Sequence, residues 1–248
     1  MKLLLTSAGI ANDSIRAALV ELLGKPIDQC KAVCIPTAIY ALPDGVGDAW
    51  LTLRALDLGW AEYGALELTA LPTLPEDCWL PALEAVDCVI VGGGNGGYLN
   101  HWMHASGLGA RLPALLRDKL YLGVSAGSVV ATHSFQADPV ALAERGIYRD
   151  ADYEEDAPPG AGSDWTLGLV PFVIRPHLNA DYFPTATIER FARSAAALDV
   201  PLYAIDDATA IAVDNGDVRV VSEGEWKLFD APHAASTRWR KGSKPVGL

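Results

Sequence analysis

The run Tyr121-Leu122-Gly123-Val124-Ser125-Ala126-Gly127-Ser128-Val129-Val130 constrains the fold more than any other part of this 248-residue chain. A short apolar stretch ends in Gly-x-Ser-x-Gly and passes directly into small, helix-compatible residues. That order describes a strand, a tight turn and a helix, with Ser125 at the apex. Glycine is needed on both sides because the serine backbone is strained and a neighbouring Cβ would collide with strand or helix. The turn lifts the Ser125 hydroxyl clear of the sheet. It also leaves the Ala126 N–H, at the head of the helix, free to face a developing oxyanion.

Around this turn, short apolar runs alternate with amphipathic stretches. Lys2 to Thr6, Ala32 to Ile35, Ala65 to Leu68, Cys88 to Val91 and Tyr121 to Val124 read as strands. Helices are expected from Asp13, as cap, to Gly24, with Ile15, Ala18, Leu19 and Leu22 on one face, and over Asp48 to Leu58 and Leu112 to Lys119. Further on, Val170 to Arg175 reads as a strand and Thr185 to Leu198 as a helix. Pro201 to Ile205, Thr209 to Val213 and Val218 to Val221 are strands, the last two joined by Asp214-Asn215-Gly216-Asp217, a strong hairpin signal. The expected architecture is three-layer α/β: a doubly wound, mainly parallel sheet with helices on both faces and a C-terminal β-hairpin. One domain spanning 1–248 suffices, with a short tail over 230–248. Ligands of such sheets gather beyond the carboxyl ends of the strands. The acidic, then turn-rich stretch Asp150 to Gly160 reads as a solvated surface excursion, with a flap over the site as the alternative.

Charge and cysteine usage narrow the partners. A formal net charge of −12, from 31 acidic against 19 basic residues, disfavours nucleic acid and anionic membranes, which need clustered Lys and Arg. The Arg238-Trp239-Arg240-Lys241 cluster is too short to change this. Cys30, Cys34, Cys78 and Cys88 lack metal-ligand spacing, and Cys34 and Cys88 sit in apolar strands as free thiols would. A cytoplasmic protein is expected, with no signal peptide in Met1 to Thr6 and no membrane span.

An elbow serine needs a base, and the base needs an orienting acid. His177 follows the strand Phe172 to Arg175 and therefore lies at the sheet edge where the serine is expected. His101 and His104 share one face of a helix but lack a third ligand, so no metal is expected. His133 lies just past the elbow helix, and His233 in a polar tail. For the acid, Asp206 and Asp207 end the strand Leu202 to Ile205, while Asp138 is the rival. The loop Gly92-Gly93-Gly94-Asn95-Gly96-Gly97 lacks the Lys-Ser/Thr of a P-loop. It matches Gly-x-Gly-x-x-Gly but sits at the fourth βα turn with arginine at position 117, so a dinucleotide site is disfavoured. Its N–H groups instead suit a second oxyanion donor.

Taken in order, Gly92 to Asn95, Gly123 to Gly127, Pro176-His177 and Ala204-Ile205-Asp206-Asp207-Ala208-Thr209-Ala210 resemble the peptidase E (aspartyl dipeptidase) and cyanophycinase family of serine peptidases. The similarity extends from the first strand to about Phe229. It implies a class I glutamine-amidotransferase-like fold, Ser125 as nucleophile, His177 as base, and an oxyanion hole of Ala126 with Gly94 or Asn95. It implies Asp207 as the acid by the cyanophycinase pattern, or Asp138 by the peptidase E pattern; the Asp207 segment is the closer match. It implies a short peptide substrate and no cofactor, and a monomer or homodimer is expected. Two places depart from the family. Aspartyl dipeptidases follow the histidine with a glycine- and threonine-rich stretch and an arginine, where this chain has Leu178 to Pro184. Cyanophycinases show Gly-Gly-Asp-Gln where this chain has Gly-Gly-Asn-Gly. Outside this reading stand an esterase or amidase of the α/β-hydrolase type, using Asp138 with His177 or His233, and a non-catalytic binding module that keeps the elbow for packing.

Overall fold

The computed structural model describes residues 1–135, 137–163 and 166–231; His233, the Arg238–Lys241 cluster and nearly all of the expected tail lie outside them. Its central feature is a run of apolar segments buried on both faces. Strand β1 (Lys2–Thr6) is followed by helix α1 (Asp13–Leu23), β2 (Lys31–Ile35), α2 (Gly45–Leu56) and β3 (Glu62–Ala65). Then come α3 (Leu80–Ala85), β4 (Cys88–Val91), the adjoining helices α4 (Gly96–Ala105) and α5 (Leu108–Leu115), β5 (Leu120–Val124) and α6 (Ala126–Val130). Five of these strands pair in parallel in the order β1-β5-β4-β2-β3. Successive residues of a strand serve opposite faces. Leu3, Leu5, Val89 and Val91 join one apolar layer, and Leu4, Ile90, Leu120 and Leu122 join the other with Ile15, Ala18, Leu19 and Leu22 of α1. Burial on both sides is why the strands read as continuous rather than alternating apolar runs.

The chain then forms α7 (Pro139–Arg145), the two-residue strands β6 (Arg149–Asp150) and β7 (Glu155–Asp156), β8 (Val173–Arg175), α8 (Ile188–Ala196) and β9 (Leu202–Ile205). It closes with β10 (Thr209–Asp214), β11 (Asp217–Ser222) and β12 (Trp226–Phe229). The β10–β11 hairpin turns at Asn215 and Gly216, both with positive φ, as the Asn-Gly pair requires. It extends the main sheet to seven strands by antiparallel pairing of β10 with β1. Strands β12, β9 and β8 form a separate three-stranded sheet packed against α8.

Local differences from the sequence reading have local causes. The third strand falls at Glu62–Ala65, and Leu68–Thr73 is a 3₁₀ turn; β3 is an exposed edge strand, so hydrophobicity does not mark it. Asn12, not Asp13, caps α1, its side chain accepting the Ile15 N–H at 2.9 Å. The helix expected from Leu112 begins at Leu108 and ends by Leu115. The acidic stretch from Asp150 is not a solvated excursion in its first half. Asp150 and Asp152 are buried, at 4% and 1% exposure, against the fully buried Arg175, at 3.0 and 2.6 Å. Two carboxylates on one guanidinium pin this segment to the end of β8. Among the described residues no helix is long and apolar enough to cross a membrane.

Candidate active site

Four strand ends and one loop converge on Ser125. The serine follows β5 with φ 50° and ψ −114°, a strained conformation for a residue bearing Cβ, and its N–H donates to the Thr6 carbonyl at 3.1 Å. Helix α6 begins at once and passes so close to β4 that a Cβ on Gly127 would overlap the Val91 carbonyl. The Ser128 and Val129 N–H groups close onto the Ser125 carbonyl at 2.8 and 3.0 Å. Among the described residues the Ala126 N–H has no acceptor, as expected for the first position of a helix.

His177 leaves β8 in a left-handed conformation, φ 61°. Its Nε2 lies 2.8 Å from Ser125 Oγ and its Nδ1 2.7 Å from Asp207 Oδ1. His177 is 6% exposed, with Phe183 stacked on its ring at 4.8 Å between centroids and 22° between planes. Asp207 follows β9. Burial pushes its carboxyl up, but hydrogen bonds from His177, Ser7 and Tyr182 outweigh that and hold it down at about 2. An ionised Asp207 at neutral pH fixes the proton on Nδ1, leaving Nε2 free to accept from the serine.

Three further side chains complete the arrangement without having been legible as site residues. Ser7, at the exit of β1, donates to Asp207 Oδ1 at 2.6 Å and accepts the His177 backbone N–H at 2.8 Å. The strand-exit rule that picked out His177 and Asp207 applies equally to Ser7. Tyr182 donates to Asp207 Oδ2 and lies 3.0 Å from His177 Nδ1. Tyr153 donates to the Pro176 carbonyl at 2.7 Å, holding the turn before the histidine.

Other sequence candidates fall elsewhere. Asp138 caps α7, accepting the Val140 and Ala141 N–H groups at 2.9 and 3.2 Å; it makes no contact with His177 among the described residues. Asp206 holds its own turn through the Ala208 N–H and the Thr209 hydroxyl. His133 lies 3.9 Å from Asp199, and His101 packs edge-on to Trp102. Asn95 is unsuited to the oxyanion role: its N–H donates to the Ala38 carbonyl at 2.9 Å, and its side chain caps α4 through the Tyr98 N–H at 2.8 Å. Gly94, with φ 129° against the Ala38 backbone where a Cβ would overlap, keeps its N–H without a backbone acceptor among the described residues.

The chain resembles a candidate peptidase E from Listeria monocytogenes EGD-e, with a TM-score of 0.63 and 22% identity over 90% of this chain and 98% of that one. It also resembles a peptidase from an acI-B1 Actinobacterium, with a TM-score of 0.55 and 17% identity over 94% and 95%. Both likenesses carry the fold, consistent with a class I glutamine-amidotransferase-like architecture. No curated protein matches the chain. The sequence model of peptidase family S51 matches residues 3–221, nearly every described element. The chain therefore belongs to peptidase family S51 and is a serine peptidase of the peptidase E and cyanophycinase kind.

Proposed function

We propose that the protein hydrolyses short peptides through a Ser125–His177–Asp207 triad, with the Ala126 and Gly94 N–H groups as the oxyanion hole. The observation that carries this is the unbroken chain of contacts, 2.8 Å from Ser125 Oγ to His177 Nε2 and 2.7 Å from Nδ1 to Asp207. Ser125 Oγ attacks the scissile carbonyl carbon as Nε2 takes its proton. The carbonyl oxygen gains the charge, and the two N–H groups stabilise it; one such donor contributes ~3 kcal/mol. The imidazolium passes its proton to the leaving amine as the C–N bond breaks. Water then attacks the acyl-serine by the same route, with His177 again as base.

Cys30, Cys34 and Cys88 are buried free thiols, which fits a reducing cytoplasm. The α/β-hydrolase alternative would need Asp138, whose carboxylate is occupied as a helix cap. Hydrolysis of a dipeptide panel (Asp-X, Glu-X, Ala-X and Lys-X) by wild type and Ser125→Ala tests the proposal. Turnover lost by roughly 10⁶-fold in the variant is expected. Turnover that survives without Ser125, or none of any peptide in the wild type, would refute it.

A further inference from the structure

Two cavities meet at Ser125, and their walls differ in chemistry. The larger, about 320 Å³, is lined by Ile39, Leu42, Ala55, Leu56 and Val124. The smaller, about 30 Å³, contains the Gly94 and Ala126 positions and closes against Val129, Phe135, Asp150, Tyr153 and Glu155. Glu155 borders both, as do Gly94, Ser125, His177 and Phe183. No lysine or arginine lines either cavity among the described residues.

The two acids on this wall are not equivalent. Asp150 has its counter-charge in Arg175, buried beside it at 3.0 Å. Glu155 has no ion-pair partner among the described residues, although its neighbours Glu154 and Asp156 pair with Arg149, Arg190 and Arg145. Burial, and then Asp150, push its carboxyl up to about 7, with the Gly96 N–H acting in the opposite sense. A half-buried carboxylate beside a nucleophile, without a counter-ion, is unfavourable unless the ligand supplies the charge.

We propose that Glu155 determines specificity by receiving a cationic group on the substrate residue that contributes the scissile carbonyl, and that an acidic side chain on that residue is rejected. This rests on the reading of Ser125 as nucleophile with Ala126 and Gly94 around the carbonyl oxygen. Ala126, Gly94 and Glu155 line the small cavity, and Gly94 and Glu155 line the larger one as well, so the groups within reach are substituents of that same residue. At about 30 Å³ the cavity exceeds the ~10–15 Å³ that one water-sized group needs, which suits an ammonium head. The free α-amine and a lysine side chain both provide one. An aspartate side chain would bring a second negative charge to Glu155 and Asp150 with no cation facing it.

Calorimetric binding of Lys-Leu, Ala-Leu, acetyl-Ala-Leu and Asp-Leu to Ser125→Ala, and to the same protein carrying Glu155→Gln, tests this without turnover. We expect Asp-Leu to bind weakest among the peptides with a free amine. Glu155→Gln should weaken the cation-bearing peptides on the order of 10- to 100-fold. A Glu155-dependent preference for Ala-Leu over acetyl-Ala-Leu identifies the α-amine as the cation; one for Lys-Leu over Ala-Leu identifies the side chain. Either supports the proposal. Equal affinities with and without Glu155, tightest binding of Asp-Leu, or no binding of any peptide overturns it. Wild-type turnover that vanishes in Ser125→Ala but ignores Glu155 would overturn this inference alone. Glu155-dependent binding without wild-type turnover would instead remove the catalytic reading.

Discussion

Replacing Asp207 with asparagine isolates what the third member of the proposed triad contributes. The carboxylate accepts three hydrogen bonds: His177 Nδ1–H at 2.7 Å and Ser7 O–H at 2.6 Å on Oδ1, and Tyr182 O–H on Oδ2. Asparagine offers one acceptor oxygen and one NH₂ to the same neighbours. If the NH₂ faces His177, the imidazole proton moves to Nε2 and the base is blocked. If the oxygen faces His177, the tautomer survives but the charge opposing the imidazolium is gone. With charge centres about 4 Å apart and an effective dielectric of about 20, that attraction is about 4 kcal/mol, or close to 10³-fold in rate. The tautomer error in a comparable triad costs ~10⁴-fold. The expected result is kcat down 10³- to 10⁴-fold with KM little changed, measured on the best dipeptide of the panel. Asp138→Ala should lose only its cap, about 1 kcal/mol of stability, and keep its activity. An Asp207→Asn enzyme within tenfold of wild type, or an equal loss in Asp138→Ala, would refute the assignment.

Ser7→Ala removes one donor to Asp207 and the acceptor of the His177 N–H, so kcat should fall roughly 10- to 100-fold at nearly constant KM; steady-state kinetics on one dipeptide read both, and an effect confined to KM would contradict the positioning role. Arg175→Met leaves Asp150 and Asp152 buried without a counter-charge and should cost about 3–5 kcal/mol in urea denaturation; a loss below 1 kcal/mol would mean the pair is not holding the wall. Glu155→Gln should stabilise the unliganded protein at pH 8 and not at pH 4.5. Glu155 titrates at about 7 when folded against 4.5 ordinarily, so its penalty is absent below the lower value, grows between the two and is constant above the upper one. The gain at pH 8 should be about 3 kcal/mol, and an equal change at both pH values would contradict it.

Much of the fold was legible because its signals are local. Buried parallel strands are continuous apolar runs, and Ser125, His177 and Asp207 each stand within two residues of the end of one. The Asn215-Gly216 turn needs positive φ at both residues, and the residue types declare it. Where a strand lies at an exposed edge, as β3 does, that signal fades and the boundary slips by several residues. Asn95 reads as an oxyanion donor from its place in the glycine loop. Its N–H is bound to Ala38, a residue more than fifty positions earlier, and no local pattern shows that.

The wall formed by Asp150, Tyr153 and Glu155 is where local reasoning fails for a physical reason. A run holding Asp150, Asp152, Glu154, Glu155 and Asp156 reads as solvated because isolated carboxylates are costly to bury. Their burial is decided by a partner outside the run. Arg175, at the end of β8, is wholly enclosed and draws Asp150 and Asp152 inward, while Arg145, Arg149 and Arg190 pair the exposed Glu154 and Asp156 at the rim. Once those pairings are made, Glu155 is carried to the lip of the Ser125 cavities without an arginine of its own. The proposed nucleophile is thus set by short motifs at strand ends. The proposed specificity residue is set by charge pairing across the chain, which no short motif records.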